Sequence, residues 1–307
     1  MSKLTIVGTV AFDAIETPFG KTDKILGGAA TYISLAASRF DIDCAIVSTV
    51  GGDFPQAYID IFKERNINLD GLEIVKDGKS FFWSGRYHND MNTRDTLDTQ
   101  LNVLADFQPV VPEKHRDAEI VMLGNLHPNV QMSVIEQVKN PKLIILDTMN
   151  FWMDNSLDEL LQVIEKVDVI TINDEEARQL SGEYSLVRAA GKICKMGPKY
   201  VVIKKGEHGA LLFSGKDVFF APALPLEEVF DPTGAGDTFA GGFAGYLAQT
   251  ENTSFENMKN AIIHGSNLAS FCVEKFGTTR MLELTEEDVQ ERLNQFRQLT
   301  QFDIDLV

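Results

Sequence analysis

Apolar and polar positions follow two different periods along this chain, and the switches between them mark where strands give way to helices. A short apolar run over 4–10 predicts a first strand, and Ile33, Ala36, Ala37 and Phe40 then recur at helical spacing. A second strand is predicted over 44–50, followed by an amphipathic helix over 55–65 with Ile59 and Phe62 on one face. From Pro112 the alternation becomes regular: strand 119–123, helix 129–138, strand 143–146, helix 157–167, strand 169–172. Units of this size imply parallel strands joined by right-handed crossovers, with helices on both faces of the sheet. In such a sheet ligands collect beyond the C-terminal ends of the strands. A strand over 200–205 runs into a hairpin of 210–213 and 218–220 across Ser214-Gly215. Helical patterns close the chain, one over 255–276 ended by Gly277 and a last one capped by Thr285 with Asp288 three residues on.

Residues 79–89 break this order. Phe81, Trp83 and Tyr87 alternate with Phe82, Ser84, Arg86 and His88, which predicts a strand with two unlike faces lying away from the main core. Aromatics so placed form either a partner interface or one wall of a ligand cleft. Arg86 reads as part of a solvated strand face.

Composition narrows the functional classes. With 307 residues and 44% hydrophobic side chains the chain can bury a sizeable core, and a net charge of −17 argues against a nucleic-acid or anionic-membrane partner. Cys44, Cys194 and Cys272 are far apart and form no C-x-x-C pair, so neither a zinc site nor a disulfide framework is expected, which suits a reducing compartment. The first residues run straight into a strand pattern without a long apolar signal region, and no later stretch is long enough to span a bilayer. The expected location is cytoplasmic.

The candidate chemistry centres on Asp231-Pro232-Thr233-Gly234-Ala235-Gly236-Asp237. Pro232 fixes its own φ, two glycines permit conformations closed to other residues, and Phe239, Phe243 and Leu247 follow at helical spacing, so the stretch reads as a turn opening a helix. Free N–H groups at that helix start, bare of side-chain bulk at Gly234, Ala235 and Gly236, make a pocket for a phosphoryl oxygen. Asp237 at its edge either caps the helix or acts as a general base that takes a proton from an attacking hydroxyl. The string is neither a Walker A loop nor a dinucleotide fingerprint, since Phe239 stands where the third glycine of the latter belongs.

Over these seven positions the chain resembles the ribokinase, or PfkB, family of carbohydrate and nucleoside kinases, whose usual form is D-T/P-x-G-A-G-D. The resemblance implies a ribokinase-like α/β fold, with a central, mainly parallel sheet, helices on both faces and a small β lid. The lid is expected from about 14–25 and 78–108, inserted in a single domain spanning 1–307. The resemblance further implies ATP and Mg2+, and K+ beside Asp231 and Thr233. By position, Asp13 after the first strand is expected to accept hydrogen bonds from acceptor hydroxyls. Gly27 and Gly28 match the family's G-G-x-x-x-N motif, with Tyr32 in place of the Asn, which points to a different acceptor shape. Asn173 and Glu176 have the N-x-x-E spacing used near magnesium, commonly through water. Lys204, Gly206 and Gly209 fall on the family's T-x-G-x-x-G, with Lys204 in place of the Thr, where it is either a point charge for phosphate or a solvated strand end. His208 reads as a loop side chain.

The reading that follows is an ATP-dependent kinase acting on a primary alcohol of a sugar or sugar derivative, with Asp237 as base and Gly234, Ala235 and Gly236 holding the transferring group. A nucleoside kinase with an adenosine-like acceptor is the alternative, because Phe82, Trp83 and Tyr32 are suited to stack a base. A nucleotide-binding protein without catalysis is a further alternative, and a nicotinamide dehydrogenase lacks its fingerprint. Dimerisation through the lid is implied by resemblance alone.

Overall fold

The computed structural model describes residues 3–301. Its strands are β1 Leu4–Val7, β2 Ala11–Thr17, β3 Gly20–Lys21, β4 Ile25–Gly27, β5 Cys44–Gly51, β6 Ile67–Val75, β7 Phe82–Tyr87, β8 Arg94–Gln100, β9 Ile120–Leu123, β10 Leu143–Asp147, β11 Val169–Asn173, β12 Tyr200–Lys204, β13 Ala210–Ser214 and β14 Asp217–Ala221. They form a 9-stranded sheet in the order β14-β13-β12-β11-β10-β9-β1-β5-β6 and a 5-stranded sheet in the order β3-β2-β7-β8, with β4 paired to β2. In the large sheet every pairing from β6 to β12 is parallel, and only the β12–β13–β14 edge is antiparallel.

The central strands of the large sheet, β1, β5 and β9–β12, are buried on both faces, which is why they read as nearly continuous apolar runs. Ile6, Ile46, Met122, Ile145 and Val202 belong to one core with Phe243 and Leu247 of the helix Ala235–Thr250. Their neighbours Val7, Val47, Val121, Leu146 and Val201 belong to another with Leu160 and Val163 of the helix Leu157–Ile164. Alternate residues thus serve opposite layers, as the period of two requires. The helix Ala235–Thr250 approaches its neighbours closely. A Cβ at Gly241 would stand 2.2 Å from the Ile33 carbonyl oxygen, and one at Gly242 would stand 2.9 Å from the Gly265 Cα. Its glycines therefore serve backbone-to-backbone packing.

The small sheet draws on 11–27 and 82–100. The first strand stops at Val7 rather than residue 10, and the chain re-enters as β2, so Asp13 lies on a strand of the small sheet. The edge strands β6 and β8 escape the sequence pattern because β6 has a single buried residue, Ile67, and along β8 every residue is exposed. Two short helices, Asn150–Asn155 and Leu186–Ile193, were likewise not signalled. The helix expected to reach residue 276 ends at Cys272, and a separate short helix, Thr279–Glu283, follows Gly277. The last helix, Glu286–Thr300, carries the expected capping box between Thr285 and Asp288. Among the described residues no helix is long and apolar enough to cross a membrane.

Candidate active site

The turn at 231–237 is fastened from below. Asp231 is fully buried, and its carboxylate accepts the N–H of Thr233 at 2.9 Å and that of Gly277 at 2.7 Å. Gly234 caps the helix Ala235–Thr250 with φ 77, and a Cβ there would stand 2.5 Å from the ring of Tyr32. Both the left-handed backbone and the contact exclude a side chain. N–H groups in the helix's first turn have no intrahelical acceptor, and Asp237 lies in that turn. Tyr32 is 1% exposed, so its ring floors the turn and is not open to stack on an acceptor as the sequence suggested.

Lys204 ends β12 beside this turn, and a Cβ on Gly236 would stand 3.2 Å from its Nζ. Its ammonium donates to Asp147 Oδ2 at 2.6 Å, and the same oxygen accepts from Thr171 Oγ1 at 2.8 Å. Burial alone would lower the Lys204 pKa, but the Asp147 and Glu176 charges outweigh it and hold it above its ordinary value. Lys204 is therefore a charged, enclosed residue, with its side chain only 17% exposed, and not a solvated strand end. Burial, reinforced by the Asp147 charge, pushes the Asp237 carboxyl up to about 7, against the opposing pull of Lys204 and Arg94.

Asn173 and Glu176 form a capping box: Glu176 N–H donates to Asn173 Oδ1 and Asn173 N–H to Glu176 Oε2, each at 2.8 Å. Glu176 is 8% exposed, and burial pushes its carboxyl up to about 7. One of its oxygens is committed to the cap. Its other oxygen is outside the cap, a lone carboxylate oxygen of the kind magnesium meets through water; among the described residues no three His, Cys, Asp or Glu side chains are grouped to hold a metal ion. The loop beyond Lys204 turns at Gly206, φ 54, and Gly209, φ 81, where Lys205 N–H donates to the Gly209 carbonyl at 2.8 Å. His208 is exposed in that loop.

On the other side of the turn, Asp13 is 4% exposed with its carboxylate against the bare Cα of Gly27, where a Cβ would stand 2.0 Å from Oδ2. Gly28 N–H donates to it, yet burial first, and the charges of Asp231 and Asp237 after it, push its pKa up to about 7. The small sheet roofs this region. Asp13 pairs with Trp83 across β2 and β7, and Thr233 Oγ1 donates to the Tyr87 hydroxyl at 3.2 Å. Arg86, on the opposite face of β7, pairs with Glu16 at 2.8 Å in solvent.

A family model described as pfkB family carbohydrate kinase matches residues 1–285. The chain belongs to that family. It is 29% identical over 252 residues to a cytidine kinase of Thermococcus kodakarensis, covering 80% of this chain and 89% of the relative. A ribokinase of Lactococcus lactis is 25% identical over 291 residues, covering 90% and 92% respectively. Among solved structures, the Methanocaldococcus jannaschii nucleoside kinase superposes with a TM-score of 0.78 at 22% identity, covering 96% of this chain and 99% of the other, and shares the ribokinase-like fold. This pfkB kinase is accordingly an ATP-dependent phosphotransferase with an alcohol group as acceptor, and its family implies the use of Mg2+. Two residues beside the turn, Asp147 and Arg94, went unnoticed in the sequence, whereas Tyr87 was read there as one of the aromatics that form a partner interface or a cleft wall. Asp147 had a usable signal, an acidic residue at the C-terminal end of a buried strand, the position where ligands gather.

Proposed function

We propose that this kinase transfers the γ-phosphoryl group of ATP to a primary hydroxyl of a sugar or sugar derivative, with Asp237 as general base. The observation that carries the reading is the Asp237 carboxylate in the first turn of a helix that opens on Gly234, with the Lys204 ammonium alongside. Asp237 takes the hydroxyl proton onto a carboxylate oxygen while the N–H groups of Gly234 and Gly236 receive the oxygens of the transferring group, the Ala235 N–H being directed to the Pro232 carbonyl at 3.2 Å. Asp13, set against Gly27 and Gly28, accepts hydrogen bonds from the acceptor's other hydroxyls. Asn173, Lys204, Gly206 and Gly209 meet the nucleotide phosphates. Magnesium, held through water by Asn173 and Glu176, would neutralise charge on the β- and γ-phosphate oxygens. Asp237→Asn is expected to lower turnover by about 10²–10⁴-fold, read as ADP release, with ATP affinity nearly intact. Near-normal turnover would remove Asp237 from the role.

A nucleoside acceptor is the second reading. It is favoured by Trp83, which stands opposite Asp13 on the roof, and by the cytidine kinase relative. A panel of sugars and nucleosides separates the two. Potassium beside Asp231 and Thr233 would raise the rate, and an unchanged rate when a bulky organic cation replaces it would dismiss that site.

A further inference from the structure

We propose that Tyr32 is a positioning residue for phosphoryl transfer: its ring is the seat that sets Gly234, and through Gly234 the donors of the glycine turn, and it takes no part in binding the acceptor. The proposal rests on the phosphoryl-transfer reading above. Tyr32 stands at the Asn position of the G-G-x-x-x-N pattern, yet its side chain is enclosed beneath the turn. It lies in the first turn of the helix Ala29–Ala37 and donates its N–H to the Gly28 carbonyl at 3.3 Å. Gly241 lets that helix approach the helix Ala235–Thr250, since a Cβ on Gly241 would stand 2.2 Å from the carbonyl oxygen of Ile33, the residue after Tyr32. The close approach brings the ring under Gly234. A Cβ on Gly234 would be 2.5 Å from Cγ, Cδ1 and Cε1 alike, and equal distances to three ring atoms place it over the middle of the ring face. The ring itself is packed with Ala36, Leu268, Phe271 and Cys272, in a core separate from the two that flank the large sheet.

The rest of the turn is fastened by hydrogen bonds. The Asp231 carboxylate holds the N–H groups of Thr233 and Gly277, the Cys272 thiol donates to the Thr233 carbonyl at 3.6 Å, and the Ala235 N–H turns to Pro232. Gly234 has φ 77 and no side chain, the least restricted backbone in the turn. Its carbonyl accepts the Thr238 N–H at 2.7 Å, and the ring below limits the residue from the other side. A flat, stiff face under a bare Cα acts as a stop, because the backbone cannot sink toward the core without meeting it. The N–H groups of Gly234 and Gly236 point where that stop sets them. A displacement of about 1 Å in such a group can cost about 10²-fold in rate.

The face does this, and the hydroxyl does not. Among the described residues the Tyr32 hydroxyl has no hydrogen-bond partner, and burial first, then the charges of Asp13, Cys272 and Asp231, raise its pKa, so it stays a neutral phenol. Phenylalanine keeps the face. Leucine and methionine fill much of the volume with flexible side chains that offer no plane.

The test measures kcat and both KM values for wild type, Tyr32→Phe, Tyr32→Leu, Tyr32→Met, Gly234→Ala and the double variant Tyr32→Leu with Gly234→Ala, with urea unfolding to identify the folded ones. Tyr32→Phe is expected to turn over within about threefold of wild type. Tyr32→Leu and Tyr32→Met should lose about 10²-fold in kcat, with the KM for acceptor and for ATP within about threefold, and either variant serves if the other does not fold. Because Tyr32 acts through Gly234, the double variant should lose little more than Gly234→Ala alone. Near-normal kcat in Tyr32→Leu or Tyr32→Met overturns the proposal, as do losses that multiply in the double variant. Tyr32→Phe losing as much as Tyr32→Leu would assign the effect to the hydroxyl, and a raised acceptor KM with kcat unchanged would return Tyr32 to the acceptor site; each overturns the proposal and leaves the kinase reading in place. A wild-type protein without ATP-dependent turnover on any alcohol overturns both.

Discussion

Asp13→Asn makes the energetic cost of the acceptor site measurable. Asp13 is 4% exposed, and burial with two neighbouring carboxylates raises its pKa from 3.8 to about 7. Between those values the folded chain holds a proton that the unfolded chain has lost, so stability falls as pH rises through the window and the penalty is complete above the folded pKa. At about 1.36 kcal/mol per pH unit, the charge costs about 2 kcal/mol at pH 5 and about 4 kcal/mol at pH 8. Asparagine keeps the shape and an oxygen for the Gly28 N–H but carries no charge. The variant should therefore be more stable than wild type at pH 8, with an advantage about 3 kcal/mol larger than at pH 5. Urea unfolding of both proteins at the two pH values reads this difference, and turnover of the acceptor should fall in the same preparation. An advantage that does not change with pH, or a variant less stable than wild type at pH 8, would refute the argument that the site holds a strained carboxylate.

Asp237 must be ionised to act as a base, and its pKa stands at about 7, so kcat/KM should fall about tenfold per pH unit below that value. Lys204→Met should shift this limb to higher pH by removing a cation that lowers the Asp237 pKa, whereas a profile flat from about pH 5.5 to 7.5 would exclude Asp237 as the titrating base. Gly27→Ala would place a Cβ 2.0 Å from Asp13 Oδ2, displacing the carboxylate. Overpacking of this kind costs about 1–3 kcal/mol, and the acceptor KM should rise about tenfold or more with the ATP KM little changed. If neither constant moves, Asp13 does not touch the acceptor.

The glycine turn and the large sheet were legible because their requirements are local. Gly234 must be left-handed and bare, Asp237 must sit in a first turn, and β-strands buried on both faces must be apolar throughout. What distance in the chain conceals is pairing. Lys204 meets Asp147 across 57 positions, and nothing near either residue announces the other. Tyr32 follows two glycines and looked open to an acceptor, but the residue it supports, Gly234, lies far along the chain. Arg94 belongs to a strand whose side chains are all exposed, so the hydrophobic pattern that locates strands is silent there.

The ladder joining β2 to β7 sets Asp13 opposite Trp83, while Lys204 and the glycine turn are seated on the large sheet and its helix. On the proposed function, selection of the alcohol and handling of the phosphate would reside on separate scaffolds that meet where the small sheet crosses the glycine turn. A new acceptor can be accommodated by exchanging residues on one face of the small sheet, at Trp83, Gly85 and Thr96, with the phosphate machinery left as inherited. Libraries confined to those three positions are where retooling of this enzyme toward another alcohol would begin.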